Sequence, residues 1–234
     1  MRTEHLFPDQ DALFTALYAF CVEALLGDLL TSAQVSCFLS GGNTPRPLYS
    51  RLAVAALPWQ HIHPALADER WVAVGNPASN EGLLRDCFRD NQIFLDKLCG
   101  MKDAAEAAEL AESACSARYA ALPAPYSFSL LGLGADGHTA SLFPHAEGLA
   151  AALESPAFCK AIKAQPSAVT GPNIERMTLT LASILKSRRI ILLFTGHEKW
   201  QVYQDALHCH DREALPASAV LQQTATPVHV FYCK

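Results

Sequence analysis

The sequence lacks the features that would mark a membrane, secreted or nucleic-acid-binding protein. No polybasic run occurs, and 23 acidic against 18 basic residues give a formal net charge of −5, whereas nucleic-acid-binding domains usually carry a basic face. No apolar run approaches the roughly 20 residues of a membrane span. The N-terminal stretch MRTEHLFPDQDAL is acidic where a signal peptide would be basic and then apolar. We therefore expect a cytoplasmic protein with no nucleic-acid or membrane partner.

Metal-site spacings are also missing. None of the eight cysteines lies in a C-x-x-C pair, and several fall in apolar strand or helix patterns, which favours reduced, buried thiols. The pairs His61-x-His63 and His208-x-His210 have no nearby second pair at zinc-site spacing, so solvent-facing or capping histidines are the preferred interpretation. We expect neither a metal nor a cofactor.

No Gly/Ser-rich linker and no internal repeat divides the chain, so residues 1–234 are predicted to form a single domain. Half of the residues are apolar, which is enough for a sizeable core. Short apolar runs bounded by turn residues predict strands at 35–39, 65–67, 128–131, 190–194 and 228–232. Helical spacing predicts helices at 9–30, 45–56, 80–89, 103–121, 180–187 and 197–209.

This alternation of strands and helices is typical of a three-layer α/β fold, in which helices cover both faces of a mostly parallel, Rossmann-like sheet. Ligands of such folds gather at the carboxyl ends of the strands. Motifs that directly follow the predicted strands are therefore the candidates for a functional site.

The first such motif, LSGGNTPRPLY, places two glycines directly after a predicted strand. The loop consists of Gly41, Gly42, Asn43 and Thr44. Glycines let backbone N–H groups approach an anion, and a following helix N-terminus adds partial positive charge, so the loop suits a phosphate. A plain tight turn is the alternative. Thr44 is predicted to cap the helix, with Pro45 just inside its start. The loop lacks the Lys-Ser/Thr ending of a Walker loop, which disfavours a nucleoside triphosphate.

Three charged residues, Asp68, Glu69 and Arg70, follow the next strand. They form either a solvated turn or a functional group in which Arg70 binds a phosphate or carboxylate and Asp68 contacts the substrate. The downstream sequence SNE, at 79–81, has the pattern of a capped helix start and needs no other role.

Two further cations lie later in the chain. Lys199, in FTGHEKW, follows a predicted strand and falls early in a helix, from which a cation can reach a ligand above the sheet. An ordinary surface lysine is the alternative. Arg176, in PNIERMTLT, either contacts the ligand or supports the loop around it, and the sequence leaves both roles open.

The stretch LLGLGADGHTASLFP contains a formal G-x-G-x-x-G, the pattern of a dinucleotide-binding turn. A Rossmann fingerprint needs a long helix after its third glycine, yet Pro144 limits any helix here to a turn or two. The dinucleotide interpretation also leaves Asp136 and His138 without a role. A general base with a neighbouring carboxylate explains both residues, and a purely structural histidine is the alternative.

Together these motifs resemble the 6-phosphogluconolactonase family, within the larger glucosamine-6-phosphate deaminase and ribose-5-phosphate isomerase-like group. SGGNTP is similar to the family's SGGSTP loop, DERWV and SN match its next motif, and LGLGADGHTASLFP matches the most diagnostic one. PNIERMTLT, TGHEK and LPAS complete the series in order over nearly the whole chain. Asn43 replaces the usual Ser or Thr, which removes a hydroxyl but leaves the loop amides, and Ala73 stands where proline is common.

The resemblance implies hydrolysis of 6-phosphoglucono-1,5-lactone to 6-phosphogluconate, the second step of the oxidative pentose phosphate pathway. The implied partner is this small sugar-phosphate lactone, and a monomer or weak homo-oligomer is expected. A lactone is an activated ester, so no metal is needed. His138 would act as the base that activates water, and Asp136 would orient either this base or the sugar hydroxyls. The loop amides, Arg70 and Lys199 would hold the phosphate.

The main alternative is a sugar-phosphate deaminase or isomerase of the same fold group. The deaminases typically continue the DGH turn with I-A-F-N-E-P, whereas this chain continues with TASLFP and lacks the glutamate that would support aldose ring opening. This difference favours lactone hydrolysis. Two further hypotheses are a dinucleotide-dependent oxidoreductase and a non-catalytic sugar-phosphate sensor.

Overall fold

The main sheet of the protein consists of six parallel strands, which accounts for the apolar character of the predicted strands. The computed structural model describes all 234 residues. The order across the sheet is β1 (Arg2–Phe7), β9 (Val228–Cys233), β8 (Ile190–Thr195), β5 (Tyr126–Gly132), β2 (Val35–Leu39) and β3 (Ile62–Leu66). Strand β2 is buried along its whole length, because a parallel sheet is covered on both faces and its central strands must be apolar throughout.

A second, antiparallel sheet lies beyond the end of β3. Its order is β4 (Asp68–Arg70), β7 (Glu175–Leu179) and β6 (Cys159–Lys163). Only Ala67 separates β3 from β4, so the chain passes from the large sheet to the small one at the carboxyl ends of the parallel strands. In the register of β4 with β7, Asp68 faces Thr178 and Arg70 faces Arg176.

Helices flank the main sheet and fill the connections between strands. They are α1 (Gln10–Leu29), α2 (Arg46–Ala53), a 3₁₀ turn (Trp59–His61), α3 (Asn80–Cys87), α4 (Gln92–Lys97), α5 (Ala108–Ala120), α6 (Leu149–Glu154), α7 (Leu181–Ile184), α8 (His197–His208) and α9 (Ala217–Leu221). One contiguous cluster of 63 buried apolar residues forms the core. The predicted α/β class with a mostly parallel sheet between helices is confirmed.

The five predicted strands are all present, and the six predicted helices correspond to α1, α2, α3, α5, α7 and α8 with shorter bounds. The sequence pattern does not predict strands β1, β4, β6 and β7. The proposed cap of α2 is wrong. The helix begins at Arg46, Pro45 occupies the N-cap position with helical dihedral angles, and no side chain caps it. Because Pro45 already has helical geometry, Thr44 is displaced from the position where its hydroxyl could accept from the first turn.

Helix α1 corrects one sequence expectation. By length and composition this 20-residue helix is apolar enough to cross a membrane, so the statement that no apolar segment approaches that length is wrong. One stripe of the helix packs into the core through Leu13, Leu17, Cys21 and Leu25. Near its end the buried Asp28 binds two arginines of the segment before β8. These contacts are those of a core helix, so its composition argues only weakly for a membrane span.

Candidate active site

A cavity of about 320 Å³ opens at the carboxyl ends of β2, β3, β5 and β8. Most of the residues predicted from the sequence line it: Gly41, Gly42, Thr44, Asp68, Arg70, His138, Arg176 and Lys199. Asp136 does not line the cavity, but it is hydrogen-bonded to His138, which does. Asn43 is exposed and does not line it. Residues more than 150 positions apart thus meet above one sheet edge, as expected for a parallel α/β fold.

The glycine loop after β2 packs closely against Asn80, at the start of α3. A Cβ atom on Gly41 would lie 1.8 Å from the side-chain oxygen of Asn80, so only glycine fits at this position. Asn80 donates to the backbone oxygen of Asp68 at 2.8 Å and to its carboxylate at 3.3 Å. Its own Oδ1 is buried without a partner. The loop is therefore held against the residues that follow β3.

Asn80 also lines the cavity, and sequence reasoning missed it. The pattern at 79–81 predicts only a helix start, and that interpretation is correct for Ser79, whose hydroxyl accepts from the Gly82 N–H. Since Ser79 supplies the cap, the amide of Asn80 is free for another role. A pair of polar residues at a helix start, where one cap is sufficient, is the signal that could have found it.

Glu69 is fully buried, so the interpretation of DER as a solvated turn is wrong. Its carboxylate accepts four hydrogen bonds, from the N–H groups of Arg70, Asn80 and Glu81 and from the hydroxyl of Ser79. Burial raises the pKa of Glu69, and the four donors oppose that rise. The carboxylate thus ties β4 to the N-terminus of α3.

Asp68 connects the cavity to the loop that follows β5. Its second carboxylate oxygen accepts from the Ser141 hydroxyl at 2.6 Å, while the Ser141 N–H donates to the hydroxyl of Thr178 on β7. Asp68 is buried and still lines the cavity. Three segments that are distant in sequence are therefore joined around one carboxylate.

Three cations line the cavity, and none has a carboxylate oxygen within 4.0 Å. Arg176 is 3% exposed and donates only to the backbone oxygens of Asn173 and Thr170, at 2.6 and 2.8 Å. Burial lowers its pKa to about 10, partly offset by the charge of Asp68. A buried cation without a counterion is costly, so a bound anion would be favoured here.

Arg70 and Lys199 complete this set. The Arg70 side chain donates to the Ala78 oxygen at 2.6 Å, and its Nε is buried without a partner. Burial lowers the pKa of Lys199, and the nearby charges of Glu198 and Asp136 act against that shift. The Asp136 contribution indicates that Lys199 lies within electrostatic reach of the residues after β5.

The residues after β5 form an imidazole–carboxylate pair. His138 Nδ1 lies 2.5 Å from Asp136 Oδ1, and the backbone N–H of His138 donates to the same oxygen at 3.1 Å. Burial acts to raise the pKa of Asp136, but these hydrogen bonds and the charge of His138 hold it below its ordinary value. A carboxylate is an acceptor only, so Nδ1 is the donor of this pair, and in the neutral imidazole Nε2 has the free lone pair.

No helix follows the third glycine of G-x-G-x-x-G, because the next helix, α6, begins at Leu149. The segment forms a tight turn instead, in which the Gly134 N–H donates to the His138 oxygen. A pyrophosphate would therefore find no helix N-terminus at this turn, and the dinucleotide interpretation has no structural support. No group of three or more His, Cys, Asp or Glu side chains is arranged to hold a metal ion.

Comparison with known proteins agrees with this geometry. The family model described as glucosamine-6-phosphate isomerases/6-phosphogluconolactonase matches residues 8–229. The chain is 30% identical to the 6-phosphogluconolactonase of Rhizobium meliloti, covering 97% of each chain. It is 32% identical to that of Mesorhizobium japonicum, covering 97% of this chain and 93% of the relative.

A solved structure gives the same result. The crystal structure of a 6-phosphogluconolactonase from Shewanella baltica superposes with a TM-score of 0.93 at 35% identity, over 100% of this chain and 98% of that one. The family model spans almost the whole chain, and the motifs that line the cavity lie within it. The chain therefore belongs to the family of glucosamine-6-phosphate isomerases and 6-phosphogluconolactonases.

Proposed function

We propose that the protein is a 6-phosphogluconolactonase, which hydrolyses 6-phosphoglucono-1,5-lactone to 6-phosphogluconate in the oxidative pentose phosphate pathway. The observation that carries the proposal is the content of one cavity. The Asp136–His138 pair meets three cations that have no carboxylate partner. This combination suits a substrate that carries both a phosphate and an ester. The relatives named 6-phosphogluconolactonase, matched over nearly their full length, support it.

The phosphate binds to the backbone amides of loop 41–44, with Arg70 and Lys199 as charged partners. Amides at a strand-to-helix turn are natural ligands for phosphate oxygens, and charge-assisted hydrogen bonds are stronger than neutral ones. Arg176 adds a third cation, which forms no salt bridge within the protein. A cavity of about 320 Å³ falls at the lower end of the range for small-molecule sites, which suits one sugar phosphate.

His138 acts as the general base. Its Nε2 takes a proton from water, and the water oxygen attacks the lactone carbonyl carbon to give a tetrahedral oxyanion. Loop N–H groups or a cavity cation stabilise that oxyanion. When the intermediate collapses, the bond to the ring oxygen breaks and the imidazolium returns its proton to that oxygen. Asp136 keeps Nδ1 protonated and stabilises the imidazolium, so the pair works without a metal.

The protein as proposed acts in the cytoplasm as one domain of residues 1–234, either as a monomer or as a weak homo-oligomer. The single core cluster of 63 residues supports the one-domain assignment. Light scattering during size-exclusion chromatography measures the mass in solution. A stable, large oligomer would contradict the proposed state.

The activity is tested by generating 6-phosphoglucono-1,5-lactone in situ in the assay and following its disappearance against the uncatalysed background. We expect clear acceleration by the wild-type protein. No acceleration above background would reject the lactonase. Ammonia release from glucosamine 6-phosphate, measured in parallel, would then identify the alternative deaminase of the same fold group.

A further inference from the structure

The imidazole of His138 is packed more tightly than its hydrogen bond to Asp136 requires. A Cβ atom on Gly134 would lie 2.0 Å from Nδ1 of His138, 2.3 Å from its Cε1 and 2.5 Å from Oδ1 of Asp136. Side-chain carbons do not approach other atoms so closely, so any residue but glycine would displace the pair. The hydrogen-bonded edge of the ring therefore lies directly over the Gly134 backbone.

The requirement at Gly134 is for space and not for backbone conformation. Gly134 is not among the glycines with positive φ, so its dihedral angles are open to other residues. A glycine fixed by contact alone points to the group it contacts, which here is the catalytic pair. This explains the second glycine of LGLGADGH, which the dinucleotide interpretation assigns to a pyrophosphate.

Phe143 supplies a second contact to the same ring. The two ring centroids are 4.2 Å apart with an interplanar angle of 31°, and Phe143 is 3% exposed. The guanidinium carbon of Arg176 lies 5.3 Å from the Phe143 centroid. A buried aromatic ring has few alternative rotamers, so it restricts the rotation of an imidazole packed against it.

We propose that Gly134 and Phe143 are positioning residues, which hold the His138 ring so that Nδ1 stays on Asp136 and Nε2 is left for water. This inference rests on the proposed function, in which His138 is the base. Both residues line the cavity, and each contacts the imidazole, so they act through the orientation of that ring. Catalysis depends steeply on such geometry, since a displacement of about 1 Å can cost on the order of 100-fold in rate.

The kinetic test compares Gly134→Ala with Gly75→Ala. Gly75 is exposed and has an ordinary φ, and a Cβ atom added to it would have no neighbour within 4 Å, so it is a matched control. We expect Gly134→Ala to lower kcat by about 100-fold. KM should change less than about threefold, because the phosphate contacts lie on other segments and a group acting only on the transition state affects kcat. Gly75→Ala should behave as wild type.

A spectroscopic test does not depend on turnover. Long-range ¹H–¹⁵N spectra of imidazole report which ring nitrogen carries the proton, and the His138 signals are identified by their loss in His138→Gln. We expect the Nδ1–H form in the wild type and a mixture of tautomers in Gly134→Ala. Phe143→Leu removes the flat ring contact without adding a Cβ, so it tests the same point if Gly134→Ala does not fold.

The two tests separate the inference from the proposed function. If the wild type hydrolyses the lactone but the folded variants keep both its kcat and its tautomer, the positioning inference is wrong and the lactonase stands. If the wild type does not hydrolyse the lactone, the proposed function is wrong, and so is the assignment of His138 as the base. A variant tautomer mixture with an unchanged kcat would also overturn the inference, because the orientation would then not matter for catalysis.

Discussion

Lys199 differs from the two arginines of the cavity because its side chain makes no hydrogen bond with the rest of the protein. It lies early in α8 and lines the cavity, whereas Arg70 and Arg176 each donate to backbone oxygens. Burial lowers the pKa of Lys199, so the fold gains nothing by holding this charge. Its contribution is therefore expected in binding and not in stability.

Lys199→Met removes this charge and keeps most of the side-chain volume. A charge-assisted hydrogen bond contributes about 1.5–3 kcal/mol, so we expect KM for the lactone to rise by roughly 10- to 100-fold with a smaller change in kcat. The melting temperature should not fall. Lys163→Met, at an exposed lysine, is the control and should leave KM unchanged. Steady-state kinetics measure KM and kcat for both variants. An unchanged KM in Lys199→Met would exclude the lysine from phosphate binding.

Strand β4 shows how three adjacent charges can serve two purposes. Alternate residues of a strand point to opposite faces, so Asp68 and Arg70 reach the cavity while Glu69 points to the start of α3. The carboxylate of Glu69 satisfies N–H groups that a helix N-terminus leaves without partners. The negative charge also lies at the favourable end of the helix dipole.

Glu69→Gln replaces an acceptor with a group that presents N–H donors to other donors. Because hydrogen bonds to a buried charge are lost, we expect the free energy of unfolding to fall by about 2–4 kcal/mol. Glu109→Gln, at an exposed glutamate in the first turn of α5, is the control and should cost less than about 0.5 kcal/mol. Urea unfolding measures both. If the two variants had the same free energy of unfolding, the hydrogen bonds of the Glu69 carboxylate would contribute little to stability.

Apolar strands that are buried in the main sheet are readily predicted from the sequence, whereas exposed or very short strands are not. Strands β2 and β8 are apolar runs that periodicity detects directly. Strand β1, RTEHLF, is exposed along most of its length at a sheet edge, and β4 has only three residues, all charged. Strand β4 depends on pairing with residues about 110 positions later, which no local pattern encodes.

The same distinction holds for the candidate site. His138 and Asp136 are predictable because both lie in one short turn, and local spacing carries that signal. Asn80 is missed because its position in the cavity depends on Gly41, which belongs to another element. Asn43 is predicted from the loop motif alone, yet it is exposed and does not line the cavity.

Across the whole molecule, half-buried histidines lie at both edges of the main sheet. His5 on β1 contacts His229 on β9 at 3.3 Å, and His63 lies on the opposite edge strand β3. Burial lowers the pKa of all three, with the charge of His5 adding to the effect at His229 and that of Lys97 at His63. At these three positions the unfolded chain therefore binds more protons than the folded one at mildly acidic pH.

Proton linkage gives the direction in which stability changes with pH. When the unfolded state binds more protons, stability rises with pH. The free energy of unfolding should therefore decrease as the pH is lowered from about 7.5 to about 5.5. His5→Phe keeps an aromatic ring against Phe231 and should reduce this slope. His210→Gln, at an exposed histidine, should not. Urea unfolding at both pH values is the measurement, and equal slopes in all three proteins would contradict the account.

The central claim is that His138 is the base for lactone hydrolysis, and one measurement tests it most directly. The turnover of 6-phosphoglucono-1,5-lactone is compared for wild type and His138→Gln, which can still bond to Asp136 but cannot take a proton from water. The account predicts clear acceleration by the wild type and a loss of kcat of about 10² to 10⁴ in the variant. A variant with kcat within about threefold of the wild type would contradict it, because a general base cannot be removed at so small a cost.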